Sequence, residues 1–219
     1  MSLYDEFSKK VQQYAPAAFE LNYAIANDPE LSVEEYHACA RHIAACRDAG
    51  MDVTERFSGQ ATAYKAVACQ TESPALRVAV LAEYDALPDI GHGCGHSAGG
   101  AISFLAGAAF HAMTNLPVSV DVIGTPDEEL RGGKIPMCQQ GIFKDYDLAI
   151  MVHMSSCQTT PNSRFLALDD YRIRFHGQTA HAAAHPWKGR NALNGAMLAL
   201  HAIDMMRQHV KPDTRIGTY

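Results

Sequence analysis

The sequence predicts an α/β fold with a mainly parallel central sheet and flanking helices. Three observations predict it. Short segments rich in β-branched residues alternate with longer segments of helical periodicity. The order strand, crossover helix, strand occupies residues 76–124 and recurs with a shorter helix as far as residue 152. The polar clusters of the chain fall in loops after the strands, and in open α/β sheets sites gather at the carboxyl ends of strands.

Residues 4–26 carry apolar positions near helical spacing, and Asn27-Asp28-Pro29 ends that helix. Ser32 followed by Glu35 has the spacing of a capping box. A second helix is therefore expected to start there and to run to Ala49, with Gly50 as a left-handed terminator. Segments 51–57, 62–69 and 76–84 suit strands, the third (ALRVAVLAE) fully buried. A loop of Gly, Pro, Asp and His over 85–96 leads into a small-residue helix at 97–113 and the strand VSVDVIG at 118–124. A short helix near 133–140 and the strand LAIMV at 148–152 follow.

Composition shifts at 155–163 (SSCQTTPNS), which resembles a linker, so two domains are expected, 1–162 and 163–219. Beyond it, LALDDYRIRFHG reads as a strand, HAAAHPWKGRN as a loop and residues 192–209 as a helix. This β-rich segment begins close to the terminus with nothing after it to pair with, so the second domain is expected to be incomplete.

With 47% apolar residues the chain can bury a core, and no apolar run approaches the roughly 20 residues of a membrane span. The start, MSLYDEFSKK, lacks the pattern of a signal peptide, so a cytoplasmic location is expected. The net charge is -6, from 18 basic and 24 acidic residues without a basic stripe, which argues against a nucleic-acid partner. Of the six cysteines (Cys39, Cys46, Cys69, Cys94, Cys138, Cys157), most are expected to be reduced. Cys39 and Cys46, seven apart on one helix, read as two small buried side chains.

Three clusters carry candidate chemistry. In GHGCGHSAGG, Cys94 and His96 flank a glycine directly before a helix, a thiolate and an imidazole that could face one zinc-like ion, with His92 as a rival ligand. The same residues also suit a buried thiol beside a solvated histidine, or a cysteine nucleophile with a neighbouring base. In TPDEELRGG, Asp127, Glu128 and Glu129 follow a strand end; such a run is usually a solvated surface, yet adjacent carboxylates also allow one to bind metal and one to move protons. His153 follows the strand LAIMV; alone, such a histidine is more often structural. Together the three supply the mixed donor set of a two-metal site.

The blocks AEYDALPDIGHGCGH, TPDEELRGGK, MVH and GQTAHAAAHPWKGRNAL, in that order, resemble the signature of the aminoacylase and carboxypeptidase G superfamily of two-metal peptidases. Within it they are most similar to the amidohydrolase branch and its β-alanyl-lysine dipeptidase-like group. The resemblance implies a zinc-peptidase-like catalytic domain followed by the start of a smaller α+β lid and dimerisation domain. It implies two divalent ions, Zn or Mn, with Cys94, His96, Glu129 and His153 as ligands and Glu128 as general base. Asp85 would orient a ligand. His181, on the lid, would reach across a homodimer to stabilise a developing oxyanion. His185 and Asn191 are weaker candidates from the same loop.

Two departures accompany the resemblance. Asp127 stands where a small residue is usual, with Arg131 following, which places an extra carboxylate and a cation beside the metals. Members of the family are also longer, and their final histidine ligand comes from a later segment, so one metal would lack a donor here. The expected reaction is hydrolysis of the amide bond in an N-acyl amino acid or dipeptide. The alternative is a catalytically inactive fragment or paralogue that binds metal or a partner; a cysteine hydrolase using Cys94 is a third reading.

Overall fold

The computed structural model describes residues 2–156, 158–161 and 165–218. Cys157 and part of the 155–163 stretch, including the expected boundary at 162/163, lie outside the described residues. The chain divides into two compact units, 1–159 and 160–219.

The first unit is α/β. Helix α1 (Leu3–Ala26) begins at a capping box between Ser2 and Asp5. Helix α2 (Tyr36–Asp48) ends where Gly50 takes φ +94°, the expected terminator. Strands β1 (Asp52–Glu55), β2 (Tyr64–Cys69) and β3 (Leu76–Ala82) precede α3 (His96–His111), β4 (Val118–Gly124), α4 (Lys134–Gln139) and β5 (Leu148–Met151). One sheet has the order β1-β2-β4-β3-β5. Its β4-β3-β5 half is parallel, as the crossover pattern requires, whereas β1 and β2 join antiparallel.

Alternation along the strands sorts side chains to two faces. Val80 and Ala82 of β3 and Val120 and Val122 of β4 pack with Leu21 and Ile25 of α1, Cys39, Ile43 and Cys46 of α2, and Phe104 and Ala108 of α3. Ala79 and Ile123 face the other way and meet Met137 of α4, with Phe143 and Tyr146 beside them. Cys39 and Cys46 are buried free thiols as expected, and Cys69, Cys94 and Cys138 are also unbridged. The small residues of α3 have a packing reason: a Cβ on Gly100 would lie 2.5 Å from the Glu83 carbonyl oxygen. This close approach sets the helix directly over the end of β3.

The expected start of α2 is corrected. Its N-cap is Glu35, whose side chain makes no cap hydrogen bond, and Ser32 lies before the helix in a turn. Glu30 does the capping instead, accepting from the backbone N–H of His37 at 3.0 Å and Ala38 at 2.8 Å.

The second unit holds helix α5 (Ala192–Met206), which starts where Asn191 accepts from the N–H groups of Leu193 and Asn194. Residues 166–177 were expected to form a strand and do not; they are exposed, irregular chain. A strand needs a neighbour for its peptide groups, and the described part of this unit supplies only the isolated bridge Gln178–Arg190. Among the described residues no helix is long and apolar enough to cross a membrane.

Candidate metal centre

Sheet register assembles the site. Leu81 pairs with Met151 and Ala82 with Gly124, so the chains leaving β3, β4 and β5 emerge side by side. Two residues beyond the Leu81–Met151 pair stand Glu83 and His153. The loop after β4 carries Glu128 and Glu129, and the N-terminus of α3 supplies His96. Gly95, with φ +80°, takes the left-handed turn between Cys94 and His96 that a side chain would resist.

Two donor groups result. Cys94, His96 and Glu129 present ligand atoms within 4.8 Å of one another, as do Glu83, His96 and His153. His96 belongs to both, and its ring meets that of His153 edge-on at 5.3 Å between centroids. His92, the rival ligand, is in neither group.

The His96 ring is oriented from behind. Its Nδ1 lies 3.0 Å from the Asp85 carboxylate and 3.0 Å from the Asp85 carbonyl oxygen. Its Nε2 is buried without a hydrogen-bond partner, 3.6 Å from Glu83 Oε2 and 3.8 Å from Glu129 Oε1. An orphaned buried imidazole nitrogen is costly unless something binds it. Set among a thiol, a second imidazole and two carboxylates, it fits a divalent cation: the residues able to hold one are Cys94, His96, Glu129, His153 and Glu83.

The electrostatics agree. Burial opposes ionisation of Asp85, but hydrogen bonds from His96, the Glu129 N–H and Ser32 outweigh it and hold its carboxyl at about 2. The hydrogen bond to Glu129, burial and the surrounding carboxylates push the Cys94 thiol up to about 11. That is the reverse of an activated nucleophile, and it is the environment a bound cation inverts. Glu128 is half-buried, and burial first, then the Glu83 charge, raises its pKa, against the opposing charge of Lys134.

Sequence reasoning missed Glu83 and Lys134. Glu83 is only 3% exposed and is paired with Lys134 of α4. The signal was available in part: β3 is not buried throughout, since Leu76 and Arg77 are exposed, but a carboxylate directly after its buried end needs a partner. Asp127 makes hydrogen bonds within the loop that carries Glu128 and Glu129. Its carboxylate accepts from the Arg131 N–H at 3.1 Å, and its carbonyl from Gly132 and Gly133, both at 2.9 Å.

In the second unit, His181 is exposed, and its Nδ1 accepts from the N–H groups of Ala183 and Ala184, each at 3.2 Å. His185 packs edge-on against Trp187, and Asn191 is the cap of α5.

The chain is 35% identical to the mouse Xaa-Arg dipeptidase over 95% of its own length and 51% of that protein. It is 30% identical to a p-aminobenzoyl-glutamate hydrolase polypeptide of Escherichia coli over 88% of its length and 44% of the relative. It thus spans about half the length of the curated relatives it matches. Two crystal structures share the fold. A protein of methicillin-resistant Staphylococcus aureus described as an aminohydrolase superposes with a TM-score of 0.67 at 20% identity, over 95% of this chain and 58% of the other. A Bacillus subtilis protein described as a dinuclear metal-binding peptidase of the M20 family superposes with a TM-score of 0.55 at 18% identity, over 63% and 42%. Residues 79–215, which contain every cluster described above, match peptidase family M20/M25/M40, and the chain belongs to that family.

Proposed function

We propose that the protein is a metal-dependent hydrolase that cleaves the amide bond of N-acyl amino acids or dipeptides. The observation that carries this reading is the partnerless, buried Nε2 of His96 at the meeting point of two donor groups. The names of the relatives, a dipeptidase and an aminobenzoyl-glutamate hydrolase, support the substrate class, since both substrates are amides of an amino acid.

In this reading Cys94, His96, Glu129 and His153 hold two divalent ions, Zn or Mn, and Asp85 keeps His96 in the tautomer that offers Nε2. When bound, the ions supply Lewis acidity, which lowers the pKa of water from about 15.7 to about 7. Glu128 takes the proton from the attacking water and delivers it to the leaving nitrogen. Burial raises the pKa of its half-buried carboxyl, a direction that suits a group that must both accept and release a proton. The second unit serves as the start of a lid in a cytoplasmic homodimer, where His181 stabilises the oxyanion of the partner's reaction.

The test is metal stoichiometry together with dipeptide hydrolysis. Near two ions per chain and turnover abolished by chelation are expected. Glu128→Gln should keep its metal and lose turnover by about 10²- to 10⁴-fold. Undiminished turnover in that variant removes Glu128 as base, turnover indifferent to chelators removes the metal mechanism, and metal without turnover favours an inactive, metal-binding paralogue.

A further inference from the structure

Between α1 and α2, the segment Glu30–Glu35 touches both loops that carry the metal centre. The Ala86 N–H donates to the Glu30 carbonyl at 2.8 Å, and Leu31 bridges Ala86. The Ser32 hydroxyl donates to Asp85 Oδ2 at 2.7 Å, the same oxygen that accepts from the Glu129 N–H at 3.0 Å. Glu35, fully buried, accepts at Oε1 from the Val33 N–H at 2.8 Å and the Asp127 N–H at 2.7 Å, and at Oε2 from the Thr62 hydroxyl at 3.1 Å.

Two of these contacts fall on unfavourable backbone. Val33 has φ +76° and Asp127 φ +59°, a conformation rare outside glycine and an outlier for a β-branched residue such as valine. Both donate their N–H to the same oxygen of Glu35. Such strain persists only where the surroundings over-determine it, and Asp127 is the residue immediately before Glu128 and Glu129. Helix α2 does not need Glu35 for its cap, because Glu30 fills that role.

We propose that Glu35 and Ser32 are positioning residues of the metal centre: Glu35 locks the loop bearing Glu128 and Glu129, and Ser32 locks the Asp85 carboxylate that orients His96. The inference rests on the reading of this site as a metal centre. A buried carboxylate spent on two strained peptide N–H groups has its effect on loop geometry, and loop geometry sets whether Glu129 can join Cys94 and His96.

The test is a Co²⁺ titration of the whole chain, followed by the thiolate-to-cobalt absorption that a cysteine ligand produces, with thermal unfolding of the metal-free protein measured in parallel. Glu35→Ala should lower Co²⁺ affinity by about 10- to 100-fold and alter the absorption band, as loss of an outer partner of a ligand does. Glu35→Gln keeps an acceptor oxygen and should recover most of the affinity. Ser32→Ala should cost about tenfold, and Glu34→Ala, at an exposed neighbour, nothing.

A folded Glu35→Ala that binds Co²⁺ like the wild type, with only its unfolding temperature changed, overturns the proposal. Should Glu35→Ala fail to fold, Ser32→Ala decides, and unchanged affinity there overturns it. No Co²⁺ binding by the wild type removes the metal-centre reading and this proposal with it, whereas wild-type binding with unaffected variants removes this proposal alone.

Discussion

The Asp85 carboxylate holds His96 by its Nδ1 at 3.0 Å and leaves Nε2 facing Glu83, Glu129 and His153. A hydrogen bond at one imidazole nitrogen decides which tautomer is present, and therefore which nitrogen has a lone pair to offer. The relationship joins the loop after β3 to α3, and it makes the orientation of the His96 ring depend on Asp85.

Asp85→Asn should weaken divalent metal binding by about 10- to 100-fold while leaving the unit folded. The amide keeps the shape but loses the charge, and it can present an N–H to Nδ1, which favours the wrong tautomer. Zn²⁺ affinity measured by chelator competition checks this; wild-type affinity would show that Asp85 does not orient the ring.

Lys134→Met should destabilise the first unit by on the order of 3 kcal/mol, because it leaves the buried Glu83 carboxylate without its ammonium partner. A divalent cation near Glu83 supplies a replacement charge, so saturating Zn²⁺ should restore part of the loss. Urea unfolding with and without metal measures both effects.

His42 gives the fold a pH dependence. Its ring is fully buried, with Nδ1 3.1 Å from the Tyr64 hydroxyl and the Tyr84 ring beside it, and burial lowers its pKa to about 3. In the unfolded chain the value is about 6.5, so between these limits only the unfolded chain binds the proton. The stabilisation is complete above about pH 6.5 and is lost as pH falls, by up to about 1.4 kcal/mol per pH unit. Urea unfolding at pH 7 and pH 5 should show a smaller difference for His42→Gln than for the wild type; equal differences would mean that His42 is not held neutral.

Much of the site was legible in the sequence because its elements are short and sharply bounded. VSVDVIG coincides with β4, Gly50 ends α2, and Gly95 turns between Cys94 and His96. Cys94, His96, Glu129 and His153 each lie beside a strand end or helix start that local pattern could place. Ser32 and Glu35 show where such reading fails. Their spacing matches a capping box, but tertiary partners in two other loops outcompeted the local hydrogen bonds, and Glu30 became the cap. LALDDYRIRFHG has strand composition without a strand, since β structure requires a neighbour that composition cannot supply.

Local pattern set the alternation of strands and helices and the chemical types of the candidate donors, because hydrophobic period and residue identity are local properties. Packing of the first unit was needed to put His96 in two donor groups and Glu83 in one of them. It alone decided that Asp127 closes a loop and that Glu35 holds that loop. Those outcomes depend on which strand ends the sheet register brings side by side, and on which buried polar atoms then find partners, neither of which is a property of any single segment.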